Sequence, residues 1–353
     1  MRLVNSLRPV RGGATEVVAA LRDWLAVMAE PVPLVVETSG STGTPKRVEL
    51  ARHAVLASVH ASAARLGAGG QWLLALPASY VAGVQVVCRS LVAGHEPVVV
   101  EGSFAHTLAG LPHHRDVPLF TSLVPTQLHR LLTDEREVEA LRHLHTILLG
   151  GGPIDPALRR RAEDAGLHVV ATYGASETAG GCVYDGHPLD GVAVAIGTDG
   201  RIRIGGPTLF EGYVDDPELT ASTLVDGWYL TADAGRLDED GRLHVLGRLD
   251  DVVVSGGVNV PLPAVARRLR EHPAVDSAEV VGVVDEEWGH RVVAFVVVVG
   301  AGVVALEEVR DWVGEEHPRS WAPRRVVALD ALPLLDNGKV DRQALVARAG
   351  EES

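Results

Sequence analysis

Apolar residues recur at helical spacing near the start of the chain. Val17, Leu21, Trp24, Leu25 and Met28 would share one face of an amphipathic helix, and Pro31 would stop it. Beyond it, short apolar runs alternate with helical patterns. Candidate strands are Leu34–Val36, Trp72–Leu76, Pro97–Val100, Leu119–Ser122, Thr146–Leu149 and His168–Thr172. A helix at 156–165 is marked at both ends: Asp155 can cap it, Pro156 suits its first turn, and Gly166 stands just past its last. Strands alternating with helices in this way predict a layered α/β domain.

From Gly181 to Gly247 the pattern changes to short strands, Val192–Ile196, Arg201–Ile204 and Leu243–Leu246, separated by turns such as Asp199-Gly200 and Asp240-Gly241. From Arg248 onward come a Gly-rich turn, helices near 261–271 and 306–316, and strands near 278–284 and 292–299. These suffice for a further α+β domain of about 100 residues. The predicted fold class is α/β. A large N-terminal domain covers residues 1–248, β-rich between 181 and 247, and a small α+β domain covers 249–353.

The chain has 353 residues, a net charge of −14 and 46% hydrophobic content. A chain of that length buries about three quarters of its unfolded surface and needs no disulfide staples. Its cysteines, Cys88 and Cys182, form neither a bridge framework nor a metal pattern, which suits a reducing compartment. The apolar run Val292–Leu306 is too short for a bilayer and is broken by Gly300 and Gly302. Met1 to Arg8 lacks the apolar core of a signal peptide. The acidic balance runs against a general nucleic-acid binder. The expectation is a soluble cytoplasmic protein with small-molecule partners, no nucleic acid and no membrane insertion, with homo-oligomerisation left open.

One compositional bias carries more weight. Of 32 Lys and Arg residues, only Lys46 and Lys339 are lysines. Arginine solvates a surface as well as lysine does, but at a site the two differ, lysine being a compact charge on a flexible stem. The two exceptions therefore mark positions where chemistry, not solubility, chooses the residue.

Lys46 ends the segment Thr38-Ser39-Gly40-Ser41-Thr42-Gly43-Thr44-Pro45-Lys46, which follows an apolar strand. Hydroxyls between glycines make a donor-rich loop able to wrap phosphate oxygens. It is not a Walker A loop, because Pro precedes the lysine and a strand pattern follows it. Other candidate signals are weak. Gly300 to Ala305 fits a loose dinucleotide fingerprint that a plain strand–turn–helix link explains better. The pairs His113-His114 and His143/His145 lack zinc-site spacing with further ligands. Gly174-Ala175-Ser176-Glu177-Thr178 ends in Thr, so it is no hydrolase elbow.

Thr38 to Lys46 resembles the phosphate loop of the adenylate-forming superfamily, which groups acyl-CoA synthetases, luciferases and peptide-synthetase adenylation domains. Further stretches resemble that family's motifs. Tyr173-Gly174-Ala175-Ser176-Glu177 is similar to its Tyr-Gly-x-Thr-Glu stretch, which implies that Tyr173 stacks on adenine, Ser176 contacts the α-phosphate and Glu177 binds Mg²⁺. Gly150-Gly151-Gly152-Pro153 resembles its adenine-binding turn. Gly227 to Asp233 is similar to its ribose-binding segment, with Asp233 in that role, and Gly247 to Asp251 to its hinge, with Arg248 on the ribose and Asp250 as pivot. Pro333 to Lys339 resembles the segment that carries its catalytic lysine. Ser255, Gly256 and Gly257 fall in the loop that meets the pantetheine thiol. Tyr80, where many relatives have His, together with Ser122 and Thr126, would face the acyl group. Residues 121–128, 147–154 and 181–186 are most similar to the o-succinylbenzoate–CoA ligase branch.

The resemblance implies a two-step activity: ATP and Mg²⁺ convert a carboxylic acid to an acyl-adenylate, then CoA, as co-substrate, takes the acyl group. Two anions must meet in a protein of net charge −14, so local cations must do what long-range steering cannot. Lys46, Lys339 and Mg²⁺ on Glu177 would supply them, Lys339 from a mobile lid. Other readings stay open: an aryl-acid adenylating enzyme that loads a carrier protein in trans, a non-catalytic nucleotide-binding relative and, more distantly, a Walker-type phosphotransferase. The lysine count generates a direct test. An amine-directed reagent is expected to label only Lys46, Lys339 and the N-terminus, and ATP to protect Lys46; labelling of Lys46 indifferent to ATP would refute its place in the phosphate loop.

Overall fold

Each of five consecutive strands is followed by at least one helix, and the five pair in parallel. A parallel pair cannot be closed by a tight turn, so the helices are a geometric requirement. The strand order in this seven-stranded sheet is Val98–Val99, Gln71–Leu74, Leu119–Leu123, Thr146–Leu149, Val169–Ala175, Gly180–Tyr184, His187–Pro188. The last two pair antiparallel. The computed structural model describes residues 7–38, 45–111, 116–300, 302 and 304–351. The expectations for Ser39, Gly40, Ser41, Thr42 and Gly43, and for His113 and His114, therefore lie outside the described residues.

The chain divides into two compact units. The first comprises Met1–Gly197, Ile202–Thr231 and Leu237–Leu243; the second comprises Thr198–Arg201, Ala232–Arg236 and His244–Ser353. In the first unit the central strands are covered on both faces, so Thr146–Leu149 is buried at every position. Trp72 and Phe120, paired in register, stack with centroids 4.9 Å apart. The helices Arg52–Leu66 and Val81–Val92 had no amphipathic signature to announce them. Arg52–Leu66 buries Ser58 and Ser62 beside its apolar residues, and Gly83 to Ser90 is buried at every residue, Gln85 and Arg89 included, so in neither helix does polarity mark the outer face.

The N-terminal helix is a corrected expectation. It spans Ala14–Ala26 and buries Val17, Val18, Ala20, Leu21 and Trp24, while Met28 lies beyond its end and is fully exposed. The Trp24 indole N–H donates to the Val32 carbonyl at 3.0 Å, turning the chain back before Pro31 can act as the stop. Gly180–Tyr184 joins the large sheet beside Val169–Ala175. Cys88 and Cys182 are fully buried, and burial pushes both thiols up to about 12, so they stay protonated. Among the described residues no helix is long and apolar enough to cross a membrane.

A second sheet in the first unit joins Leu34–Glu37, Arg47–Leu50 and Gly212–Tyr213. The second unit holds a sheet ordered Val258–Pro261, Val252–Ser255, Gly289–Val298, Val275–Asp285, with Arg325–Ala328 parallel to Gly289–Val298. Alternation along its long hairpin sorts two cores. Val280, Val292, Ala294 and Val296 pack with residues of the helices Leu262–Arg270 and Leu306–Gly314. Val281, Val283, Val293 and Phe295 pack with Leu329 and with Leu345 and Ala349 of the last helix, Arg342–Glu351. Phe295 has no exposed surface. Phe295→Ala is expected to destabilise the second unit by about 3–5 kcal/mol, read from urea unfolding; a loss well under 1 kcal/mol would show that this second core is not closely packed.

Candidate active site

Ligands of open α/β sheets bind outside the carboxyl ends of the strands, above all where the strand order reverses. In the first unit the order reverses between Gln71–Leu74 and Leu119–Leu123. Tyr80 follows the first of these strands; Ser122 ends the second and Thr126 follows it. The next two strands lead into Gly150, Gly151 and Gly152, and into Tyr173, Gly174, Ser176 and Glu177. One sheet edge thus gathers every candidate of the first unit except those of the phosphate loop. A cavity of about 270 Å³ is lined by Tyr80, Ser79, Thr38, Pro45, Arg11 and Glu37 among others. Ser122 and Thr126 are not part of its lining.

The candidate phosphate loop is pinned at its neck. The Thr38 N–H donates to the Lys46 carbonyl at 2.9 Å, and the Lys46 N–H to the Thr38 hydroxyl at 3.3 Å. Glu37 pairs with Arg47 in the ladder beneath. On the other side Tyr213 pairs with Val48, so a third strand runs beside the one that follows Lys46.

Glu177 sits in a short 3₁₀ turn, Ser176–Thr178, closed by the Thr178 hydroxyl, which accepts from the Ala175 N–H at 2.8 Å. Its side chain is buried, yet no arginine or lysine pairs with it among the described residues. A buried carboxylate without a counter-charge is costly. Its partner is the Tyr213 hydroxyl, which donates to Oε1 at 2.7 Å. The Phe210 N–H donates to the Glu177 carbonyl at 2.9 Å, tying the two segments together. The Lys46 ammonium lies 5.4 Å from the centroid of the Tyr213 ring. No group of three or more His, Cys, Asp or Glu able to hold a metal occurs among the described residues. A single carboxylate nevertheless suits Mg²⁺, which takes one or two carboxylates and completes its shell with water and substrate phosphates.

The second unit carries the remaining candidates. Arg248 donates through Nε and a terminal nitrogen to both oxygens of Asp250, at 3.0 and 2.8 Å. Burial alone would raise the Asp250 carboxyl; the two bonds from Arg248 outweigh it and hold the group below the usual range. The bond to Asp250, and then the charges of Asp250 and Asp233, raise Arg248 in turn. Arg248, Asp250 and Asp233 therefore form one charged cluster. Ser255 is buried with its hydroxyl unpartnered, and Gly256-Gly257 is a two-residue hairpin turn with φ of +58° and +79°, a conformation that disfavours side chains at both positions.

Lys339 stands on a second hairpin. The Gly338 N–H donates to the Leu335 carbonyl at 2.8 Å and the Leu335 N–H to the Lys339 carbonyl at 2.8 Å, with Gly338 at φ +77°. This is a tight turn followed by a left-handed residue. The buried Asn337 side chain accepts the Lys339 N–H at 3.1 Å. Lys339 keeps exposed surface, but crowding by its neighbours lowers the ammonium from the ordinary lysine value and the Asp233 carboxylate pulls it back up.

Tyr213 is the site residue that motif reading missed. Its one signal was rarity, since the chain has five tyrosines and two of them, Tyr80 and Tyr173, were already candidates. The coupling of Asp233 to Lys339 yields a measurable consequence. Asp233→Asn removes the one charge that supports the ammonium, so the Lys339 pKa is expected to fall further. Side-chain NMR of lysine-labelled protein reads this directly, with only two lysine signals to assign; an unchanged titration would remove Asp233 from the lysine's surroundings.

Known proteins share both parts of this arrangement. Residues 32–214 match the model of the AMP-binding enzyme family, and residues 265–339 that of the AMP-binding enzyme C-terminal domain. A probable 2-succinylbenzoate–CoA ligase of Mycobacterium tuberculosis is 43% identical over 330 residues, covering 91% of this chain and 86% of the relative. The o-succinylbenzoate CoA synthetase from Bacillus subtilis, solved in complex with the acyl-adenylate intermediate OSB-AMP, is 30% identical with a TM-score of 0.76, covering 88% of this chain and 68% of that one. The amide bond synthetase McbA from Marinactinospora thermotolerans is 29% identical with a TM-score of 0.80, over 89% and 68% of the two chains. With a family model over more than half its length and a relative this similar over nine tenths of it, the chain belongs to the AMP-binding enzyme family.

Proposed function

We propose that the protein is an ATP- and Mg²⁺-dependent acid–CoA ligase of the cytoplasm, with o-succinylbenzoate as its acid. It joins the acid to CoA and yields AMP, pyrophosphate and the acyl-CoA thioester. The observation that carries the reading is the buried Glu177, held by the neutral Tyr213 hydroxyl, whose ring also faces Lys46, on the sheet edge that also bears Tyr173 and Gly150 to Gly152. The similarity to ligases named for 2-succinylbenzoate supports the choice of acid.

In the first half-reaction a carboxylate oxygen attacks the α-phosphorus of ATP and pyrophosphate leaves. Tyr173 and Gly150 to Gly152 hold the adenine, Asp233 and Arg248 the ribose, Ser176 the α-phosphate, and Lys46 the outgoing phosphates. Mg²⁺, when bound at Glu177, would supply positive charge for the pyrophosphate. Lys339 touches both the carboxylate and the α-phosphate, where negative charge grows in the transition state. In the second half-reaction the CoA sulfur attacks the acyl carbon, AMP leaves, and the thiol proton passes to solvent. Residues 249–353 act in this reading as a lid on residues 1–248. It turns about Asp250, withdrawing Lys339 and bringing in Ser255, Gly256 and Gly257.

The test supplies ATP, Mg²⁺, CoA and a panel of carboxylic acids and scores AMP and thioester. Thioester from o-succinylbenzoate is expected. Lys339→Ala should cut adenylate formation by about 100- to 1000-fold, the size of a transition-state charge contact, while sparing thioester formation from supplied acyl-adenylate. Adenylate without CoA transfer would point instead to loading of a carrier protein in trans. No AMP with any acid would leave a non-catalytic nucleotide binder.

A further inference from the structure

Tyr213 touches both charged groups at the phosphate end of the site. Its hydroxyl donates to one oxygen of Glu177 at 2.7 Å, and its ring face lies 5.4 Å from the Lys46 ammonium. We propose that Tyr213 is a positioning residue that sets Glu177 for the cation and Lys46 for the phosphates of a bound nucleotide, coupling the two through one rigid side chain. The proposal rests on the roles given above to Glu177 and Lys46.

The ring is fixed from several sides. Tyr213 pairs with Val48, its N–H donates to the Thr220 hydroxyl at 2.9 Å, and Phe210 packs edge-on with centroids 5.0 Å apart. Only 6% of Tyr213 and 6% of Glu177 is exposed, so the carboxylate cannot swing into water to find another donor.

The chemistry of this choice is specific. An arginine beside Glu177 would satisfy the carboxylate but cancel the charge that attracts a divalent cation. A hydroxyl satisfies one oxygen, leaves the net charge, and frees the second oxygen. The same logic holds at Lys46. A carboxylate partner would neutralise the ammonium, whereas a ring face steadies it and leaves its charge and its three N–H donors for phosphate. Tyrosine offers an O–H donor and a cation-binding face in one side chain.

Two substitutions separate the halves of the role. Tyr213→Phe keeps the ring and removes the hydroxyl; Tyr213→Leu removes both. Isothermal titration of ATP, with and without Mg²⁺ and without acid, gives a readout independent of turnover, and thermal melting certifies that each variant is folded. Tyr213→Phe should weaken the Mg²⁺-dependent gain in ATP affinity by about tenfold, the scale of one charge-assisted hydrogen bond, and leave Mg²⁺-free binding unchanged. Tyr213→Leu should lose Mg²⁺-free affinity as well. In the adenylation assay, Tyr213→Phe should raise the half-saturating Mg²⁺ concentration at saturating ATP. Glu177→Gln serves as the reference. If it abolishes the Mg²⁺ effect while Tyr213→Phe does not change it, the positioning role is wrong and the functional reading stands. If Glu177→Gln itself leaves Mg²⁺ dependence intact, the reading of Glu177 fails and the proposal with it.

Discussion

Parallel pairing is the constraint on which the rest of the first unit depends. Strands that run the same way must be joined by crossovers, and their carboxyl ends then open on a single edge. The segments that leave this edge carry Tyr80, Ser122, Gly150 and Glu177. These residues are far apart in sequence and have no pattern in common. They share an edge because Leu119–Leu123, Thr146–Leu149 and the start of Val169–Ala175 pair side by side in parallel, largely through buried positions.

Charge is the second organising problem. The protein is strongly acidic, yet the activity proposed for it brings anions together. The described residues meet this with few uncompensated groups. Many arginines are spent in ion pairs, such as Arg142 with Glu139 or Arg319 with Asp311. Lys46 has a ring beside it instead of an acid, and Lys339 has the charge of Asp233 near it. Glu177 has a hydroxyl instead of a base. Neutral partners keep charge available, and that separates these positions from the many solvated pairs elsewhere.

Much of the fold could be read from pattern where one face of an element is wet. The helix Pro156–Asp164 has its cap, its first-turn Pro and its following glycine in the expected places, with the Asp155 side chain accepting from the Ala157 N–H at 2.7 Å. The strands expected near 278–284 and 292–299 are the two arms of the hairpin Val275–Asp285 with Gly289–Val298. Two helices of the first unit gave no such signal. Val81–Val92 buries Gln85 and Arg89 along with its apolar residues, so polarity does not mark its outer face, and the first helix ends at Ala26, where the Trp24 indole reaches the Val32 carbonyl, and not at Pro31.

The sequence by itself determined the class of fold, the two lysines and the order of the motifs around them, because turn residues, periodicity and a biased choice of Lys over Arg are local properties. Only the tertiary structure decided what stands beside each charge. That Glu177 meets Tyr213 and that Tyr213 also faces Lys46 depend on registers such as Tyr213 against Val48 and on turns such as Ser176–Thr178. A residue's type can be written in one position. Its dielectric surroundings and hydrogen-bond partner come from segments far away in the chain, brought close only by burial of the strands between them.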